Sequence, residues 1–512
     1  MSVLLLAAVA IPGGLAAFLT FGRPRLGLAI GSVTAILAVA VAATIGAQDA
    51  VPLAGTVVSG SDGLRTVALT WAAVIALLGL ADVLVGSGGA TLGPSLMGLG
   101  TGVLALSVAD AGIGFALLTA GGLAAAVGPL AWLPGAGSDV ALVGLRLLRP
   151  LVLAGLLGLA AVAWGASAVG PFVAADPFAG VDPALETALG LGLLVVVTAV
   201  IVRMGAIPAH VWASRLAEAV PVAAVPATLG WGAAGFALVA LGWVEVTIAP
   251  AAAPLFAEHG LIAVVAAASV LLGGLAAMLH DDLEHVLGYS IVQDAGIALL
   301  AFGVIRPDVA QAGRDWLIGM VAVKSGLAAW VLVTRATFRV RRLSELRGWA
   351  RSSPLLALTF VVVALGAVGL PGMATFAARS LLTEAAVASP FDLFVLAAAF
   401  APLVYLGRIL VVGLDRMSDA VRGSEGTRPR LRGFRPAGWT AGSAPAVAMA
   451  VPTAFQAAIR ANRFALAAGS ALLVAVIGLG VATAGLGGAA VEQPLGGELG
   501  VTERSSPIDG GL

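Results

Sequence analysis

The chain has 512 residues, 60% of them apolar and 11% charged, and its 27 basic residues balance 27 acidic ones. An apolar share well above the roughly half of a soluble domain excludes a soluble protein and puts the chain in the bilayer. Zero net charge leaves no electrostatic case for nucleic acid. With no cysteine anywhere, disulfides, iron–sulfur clusters and thiolate metal sites are excluded. No cofactor and no metal is expected, and any redox chemistry would belong to partners.

Apolar runs of the length a bilayer requires recur near 3–21, 26–46, 67–87, 91–109, 112–132, 150–170, 185–206, 221–243, 260–279, 286–304, 315–334, 354–378, 388–412 and 464–486. No irregular backbone or open sheet edge can face lipid. Segments such as Leu151 to Trp164 and Leu191 to Val202 lack the alternating polarity of barrel strands. The expectation is an all-α, polytopic integral membrane protein of about 14 transmembrane helices. Met1 to Phe21 carries no basic leader and no convincing cleavage site, so it reads as the first membrane helix rather than a removed signal.

Connections after odd-numbered spans carry Arg23 and Arg25, then Arg146 and Arg149, then Arg335, Arg339, Arg341, Arg342, Arg347 and Arg351, then a run from Arg416 to Arg463. Those after even-numbered spans carry Asp62, Asp176, Asp182, Glu186, Glu245 and Glu258, with Arg65, Arg306 and Arg314 as exceptions. Basic connections stay in the cytoplasm, which predicts an inner (plasma) membrane protein with both termini on the non-cytoplasmic side. The connection from Val412 to Arg463 begins as an Arg-, Gly-, Pro- and Ser-rich loop. Its later part, Val447 to Ile459, suits an interfacial helix despite Pro452. The tail after Gly487 reads as loosely ordered.

Two spans are interrupted. Span 7 meets Pro208 after Gly205, and span 12 contains Gly369-Leu370-Pro371-Gly372; proline removes a helix hydrogen bond, so each should break or kink. Paired interruptions, each near an intramembrane arginine, mark repeat-built transporters with a site at the membrane midplane.

The buried charges carry the chemistry. Among 27 basic residues the only lysine is Lys324, inside the apolar stretch Trp316 to Val333. Lysine can lose its proton when desolvated, whereas arginine cannot, so Lys324 is a candidate proton carrier. It could equally pair statically with a carboxylate or snorkel. Asp294 in span 10 is a carboxylate whose protonation burial and a nearby cation would set between them. Arg203 and Glu218 flank the first break, where a folded-back half-helix could bring them together as a buried pair. Arg379 and Glu384 follow the second break and, five residues apart, point about 140° away from each other. Asp82 and Asp110 lie near helix ends, where capping or headgroup contact accounts for them. The run His280-Asp281-Asp282-Leu283-Glu284-His285 could ligate a divalent cation, but acidic residues at a helix start are ordinary.

Several segments resemble one family. Arg203-Met204-Gly205-Ala206-Ile207-Pro208-Ala209-His210-Val211-Trp212 is similar to "K-x-x-x-x-P-F-H-x-W", and Glu218-Ala219-Val220-Pro221-Val222 to "E-A-P-x-P-V". Asp282-Leu283-Glu284-His285-Val286-Leu287-Gly288-Tyr289-Ser290 resembles "D-(L/I)-K-R-(L/I)-L-(A/G)-Y-S". Gly369-Leu370-Pro371-Gly372 with Phe376 and Arg379 resembles "G-(I/L)-P-P-x-x-G-F-x-x-K", and Lys324 falls where "H-A-x-F-K" ends. These are segments of the antiporter-like proton-translocating membrane subunits shared by respiratory complex I, membrane hydrogenases and multisubunit cation/proton antiporters, with the N-type quinone oxidoreductase subunit the nearest in character.

The resemblance implies 14 helices in two inverted five-helix repeats with broken helices 7 and 12. The corresponding division is 1–90, 91–243 (first repeat), 260–412 (second repeat), 413–463 (Arg-rich cytoplasmic connection) and 464–512. It implies a path for protons or monovalent cations along Lys324, Asp294, Arg203, Glu218 and Arg379, and other membrane subunits as partners beside the lipid bilayer. Departures are evident. Arg203 and Arg379 stand where the family has lysine, Trp231 falls at its helix-eight lysine, Met320 at a histidine and Glu284 at the signature lysine, and no glutamate lies between Phe115 and Gly122. Three functions follow as alternatives: a proton-translocating subunit of a respiratory or hydrogenase-type complex; a degenerate, non-conducting structural or docking subunit; or an ion or bicarbonate transport module working with a soluble partner.

Overall fold

The structure, a computed structural model, describes residues 1–20, 22–46, 50–53, 55–86, 91–128, 137–169, 183–385, 400–419, 421–422 and 453–485. Among them ten helices are long and apolar enough to cross a membrane, and four shorter apolar helices, Leu92–Ser107, Ala111–Val127, Pro354–Val368 and Ala401–Leu414, complete the expected series. In chain order the elements are α1 (Ser2–Leu19), α2 (Pro24–Ala42), α3 (Asp62–Val85), α4 (Leu92–Ser107), α5 (Ala111–Val127), α6 (Gly137–Trp164), α7 (Pro183–Met204), α8 (Val211–Ala219), α9 (Gly232–Thr247), α10 (Phe256–Leu279), α11 (Leu283–Leu299), α12 (Pro307–Phe338), α13 (Pro354–Val368), α14 (Ala374–Ala385), α15 (Ala401–Leu414) and α16 (Thr453–Ala484). The first part of the thirteenth predicted span, most of the Arg-rich connection, residues 447–452 of the proposed interfacial helix and the tail lie outside the described residues.

One element departs from all-α. Between α2 and α3, Ala50–Leu53 (β1) and Thr56–Ser59 (β2) form an antiparallel hairpin, and Val58 forms a bridge with Val108 at the end of α4. The hairpin lies between two spans, where its edges need not face hydrocarbon.

Lipid tails are as apolar as leucine, so burial alone does not draw these helices together; close approach of backbones does. On α2 the buried positions include Gly27, Gly31, Ala35, Ala38 and Ala42, while Val33, Ile36 and Leu37 are exposed. Small residues face protein and large ones face outward. Between α1 and α4 the approach is closest at Gly14 and Gly93, where a Cβ on either would lie 2.7 or 2.9 Å from the other's carbonyl oxygen.

At the centre stands α12, whose 32 residues give a length of about 48 Å against a hydrocarbon core of about 30 Å. Pro307 opens it, Asp308 lies in its first turn and Arg335 in its last, in keeping with the helix dipole. Its most apolar stretch, long enough to cross the hydrocarbon core, is wholly buried. Beside it α11 is buried at nearly every position, from Leu283 to Leu299. A polar side chain in the central stretch of either helix therefore faces protein, not lipid.

Both predicted breaks are present. α7 stops at Met204, Gly205 adopts φ +67, the Ile207–Pro208 bond is cis, and α8 follows. α13 stops at Val368, Gly369 and Gly372 adopt φ +61 and +93, and α14 follows. Positive φ favours glycine, so the breaks are set by glycine as much as by proline.

Candidate functional site

Lys324 and Asp294 project from α12 and α11 into the same interior space, 3% and 5% exposed, and pair with Nζ 3.0 Å from Oδ2. Both charges are thereby taken from solvent, which is tolerable only because each compensates the other. Asp294 is held from behind: the Trp316 indole donates to its backbone carbonyl at 3.0 Å.

Two further groups complete the cluster. Tyr405 on α15 is buried, with its hydroxyl in reach of Lys324 and Ser290. Arg379 on α14 is 1% exposed and close enough to act on the Asp294 charge. Its guanidinium donates to the Gly369 carbonyl at 3.3 Å and lies over the Phe400 ring, 4.3 Å from the centroid. The broken span thus supplies both the arginine and a carbonyl freed by the break. Tyr405 was not singled out from sequence. The usable signal was scarcity: the chain has 2 tyrosines, and a hydroxyl on so apolar a helix needs a partner.

Arg203, in the last turn of α7, is 3% exposed, and donates to the Thr228 carbonyl at 3.3 Å. Thr228 sits in a π turn, Pro226–Trp231, that leads into α9; such turns shift helix bonding and leave carbonyls available. Among the described residues no carboxylate lies within ion-pair distance of Arg203.

The expected Arg203–Glu218 pair is not formed. Along α8, Ala213, Ser214, Leu216 and Ala217 are the buried residues; Glu218 falls on the outer face, 49% exposed at its side chain, and lies 3.6 Å from His285. The half-helix does fold back, but its apolar face decides its rotation. The Arg379–Glu384 divergence does hold: the arginine is buried and the glutamate exposed.

Asp82 is deeply buried, with Thr91 Oγ1 at 3.5 Å, rather than at the headgroups. Asp110 caps α5 by accepting from the Ile113 amide at 2.9 Å. The acidic run at 280–285 is occupied by arginines and loop backbone. Asp281 accepts from Arg408 at 3.3 Å and from the Ser344 hydroxyl at 2.6 Å, while the 1%-exposed Glu284 side chain pairs with Arg335 and, at 3.5 Å, with Arg341. Arg314, an exception to the charge asymmetry, is neutralised by Glu245 across α12 and α9.

Comparisons with known proteins follow the same lines. Residues 181–404 match the family model described as NADH:quinone oxidoreductase/Mrp antiporter, transmembrane region. NADH-quinone oxidoreductase subunit N 1 of Streptomyces griseus is 35% identical over 234 residues, 44% of this chain and 47% of that one. The match therefore spans about half the length of such curated relatives. A chain of the Mrp complex from Dietzia sp. superposes with a TM-score of 0.66 at 19% identity, covering 95% of this chain and 97% of that one. A chain of respiratory complex I from Thermus thermophilus gives 0.64 at 22%, covering 96% and 98%. The last two are likenesses of fold.

Proposed function

We propose that this chain, whose residues 181–404 carry the transmembrane region of the NADH:quinone oxidoreductase/Mrp antiporter family, is a proton-translocating membrane subunit of a respiratory or hydrogenase-type energy-converting complex. The observation that carries the reading is the buried Lys324–Asp294 pair at 3.0 Å, flanked by Arg379 and Tyr405. Ionisable groups at membrane depth are costly and typically line ion pathways. A lysine and an aspartate can exchange a proton, whereas arginine holds its charge. In this reading Arg379 is the fixed charge, and Lys324 and Asp294 load and unload; Glu218, beside His285 at the surface, takes part at the mouth of the path rather than in its interior. Other membrane subunits are the proposed partners, protons or monovalent cations the cargo, and the inner membrane the location. The repeats are assigned to 91–243 and 260–412, and both termini to the non-cytoplasmic side.

Reconstituted in proteoliposomes as part of its complex, the Lys324→Ala variant is expected to lose proton flux. Lys324→Arg is the sharper test, because it keeps the charge but removes the titration. Loss of flux with assembly intact supports the relay; unchanged flux overturns the assignment of Lys324. The second reading, a non-conducting structural subunit, is favoured by Arg203 lacking a carboxylate partner among the described residues and by Trp231 standing where the resemblance expects lysine; it predicts that Lys324→Arg leaves coupling intact.

A further inference from the structure

The geometry around Arg203 points to a binding site for a small monovalent anion, chloride in size and charge, between α3, α4 and the π turn that precedes α9. This inference does not depend on whether the Lys324–Asp294 pair conducts protons.

Arginine stays charged at every accessible pH. Arg203 is 3% exposed, and among the described residues the one acceptor it has is a neutral carbonyl, that of Thr228. A buried guanidinium whose charge is left uncompensated costs several kcal/mol. The other deeply buried cations among the described residues are differently placed: Lys324 has Asp294 at 3.0 Å, and Arg379 lies within reach of the same carboxylate.

Arg203 faces a cavity of about 20 Å³, lined also by Trp71, Ser95, Gly98, Thr101 and Thr228, and a second of about 10 Å³ that shares Trp71 and Ser95 with it is lined by Thr91 and Trp231 as well. One water needs about 10–15 Å³, so the space takes a single halide-sized ligand and nothing as large as a carboxylic acid or a nucleotide.

The unmet bonding around it has one sign. Nε of Arg203 and the indole Nε1 atoms of Trp71 and Trp231 are buried donors without an acceptor. The two indoles are stacked, with centroids 5.2 Å apart. The hydroxyls of Ser95, Thr101 and Thr228 already donate along their own helices, to the carbonyls of Thr91, Met97 and Ala224. Orphaned donors beside an uncompensated positive charge call for an acceptor that is itself negative. Water would satisfy a donor but leave the charge.

The test uses the full chain in lipid nanodiscs, with sodium chloride replacing sodium gluconate at constant ionic strength. A ligand bound only by the folded state raises its unfolding temperature as its concentration passes the dissociation constant. Wild type is expected to show a saturating rise of about 2 °C, and Arg203→Gln none. Should Arg203→Gln fail to fold, Gly232→Ala decides. Gly232 lines the cavity and a Cβ there would lie 2.6 Å from the Arg203 guanidinium, so the variant displaces the end of that flexible side chain while keeping its charge and should lose the chloride response. A structure determined in sodium bromide should show an anomalous peak beside the Arg203 guanidinium. The same chloride response in wild type and Gly232→Ala, no response in wild type, or density filled by water without an anomalous signal would each overturn the site.

Discussion

Lys324 and Asp294 stabilise one another only as a pair, and that sets what substitution does. Asp294→Asn strands a buried ammonium and should destabilise the protein by about 3–5 kcal/mol, whereas Asp294→Asn combined with Lys324→Met removes both charges and should recover most of that loss. Thermal unfolding in nanodiscs of the two single variants and the double variant checks it. Additive losses would show that the two residues are not coupled. At the start of α11 the charges are less deeply placed. The Glu284 carboxylate is 1% exposed but its partner Arg335 is 32% exposed, so Glu284→Gln should cost nearer about 2 kcal/mol, measured in the same way. Lys324 was legible because its residue type is unique in the chain, and Asp294 because a carboxylate stood out in an apolar span. Their meeting was not, since it depends on the packing of α11 against α12. The Arg203–Glu218 pairing failed for a related reason: residue spacing placed the half-helix but the apolar face of α8 fixed which way Glu218 points.

The two broken spans differ in how tightly their glycines are held. At Gly205, φ is +67 and a Cβ would come 2.5 Å from that of Ala213, while at Gly372, φ is +93 but nothing lies within 4 Å. Gly205→Ala should therefore cost about 2–3 kcal/mol from strain and overlap together, and Gly372→Ala only about 1 kcal/mol from strain alone. Equal losses in unfolding temperature would show that crowding at α8 does not matter. Helix positions were legible because twenty apolar residues in a row have few alternatives in a bilayer. Their ends were less so. α12 was expected over 315–334 and runs from Pro307 to Phe338, since its polar ends, Arg306-Pro307-Asp308 and Arg335, satisfy helix capping and dipole rather than hydropathy. The β1–β2 hairpin was missed because a four-residue strand carries almost no periodicity.

Charge placement predicts how the whole molecule sits in the membrane. The arginines at 23, 25, 335, 339, 341 and 342 follow odd-numbered spans, and the Glu284–Arg335–Arg341 cluster ties the connection after span 11 to the start of α11, which follows span 9. Arg314 and Arg306, which run against the pattern, are paired with Glu245 and Asp308, so they add no net charge on their side. Retention of arginine-rich connections then predicts the α1–α2 turn in the cytoplasm and the β1–β2 hairpin opposite. The chain has no cysteine, so any thiol introduced reports on itself alone. Gly22 is exposed, with nothing within 4 Å of a Cβ, and Val57 is 46% exposed on the hairpin. In oriented membrane vesicles a membrane-impermeant maleimide should label Gly22→Cys from the cytoplasmic face alone and Val57→Cys from the opposite face alone. The reverse labelling would invert the molecule, placing the Glu284 cluster and Glu218 beside His285 on the outer surface, and any proton path through Lys324 would then have to be read in the opposite sense.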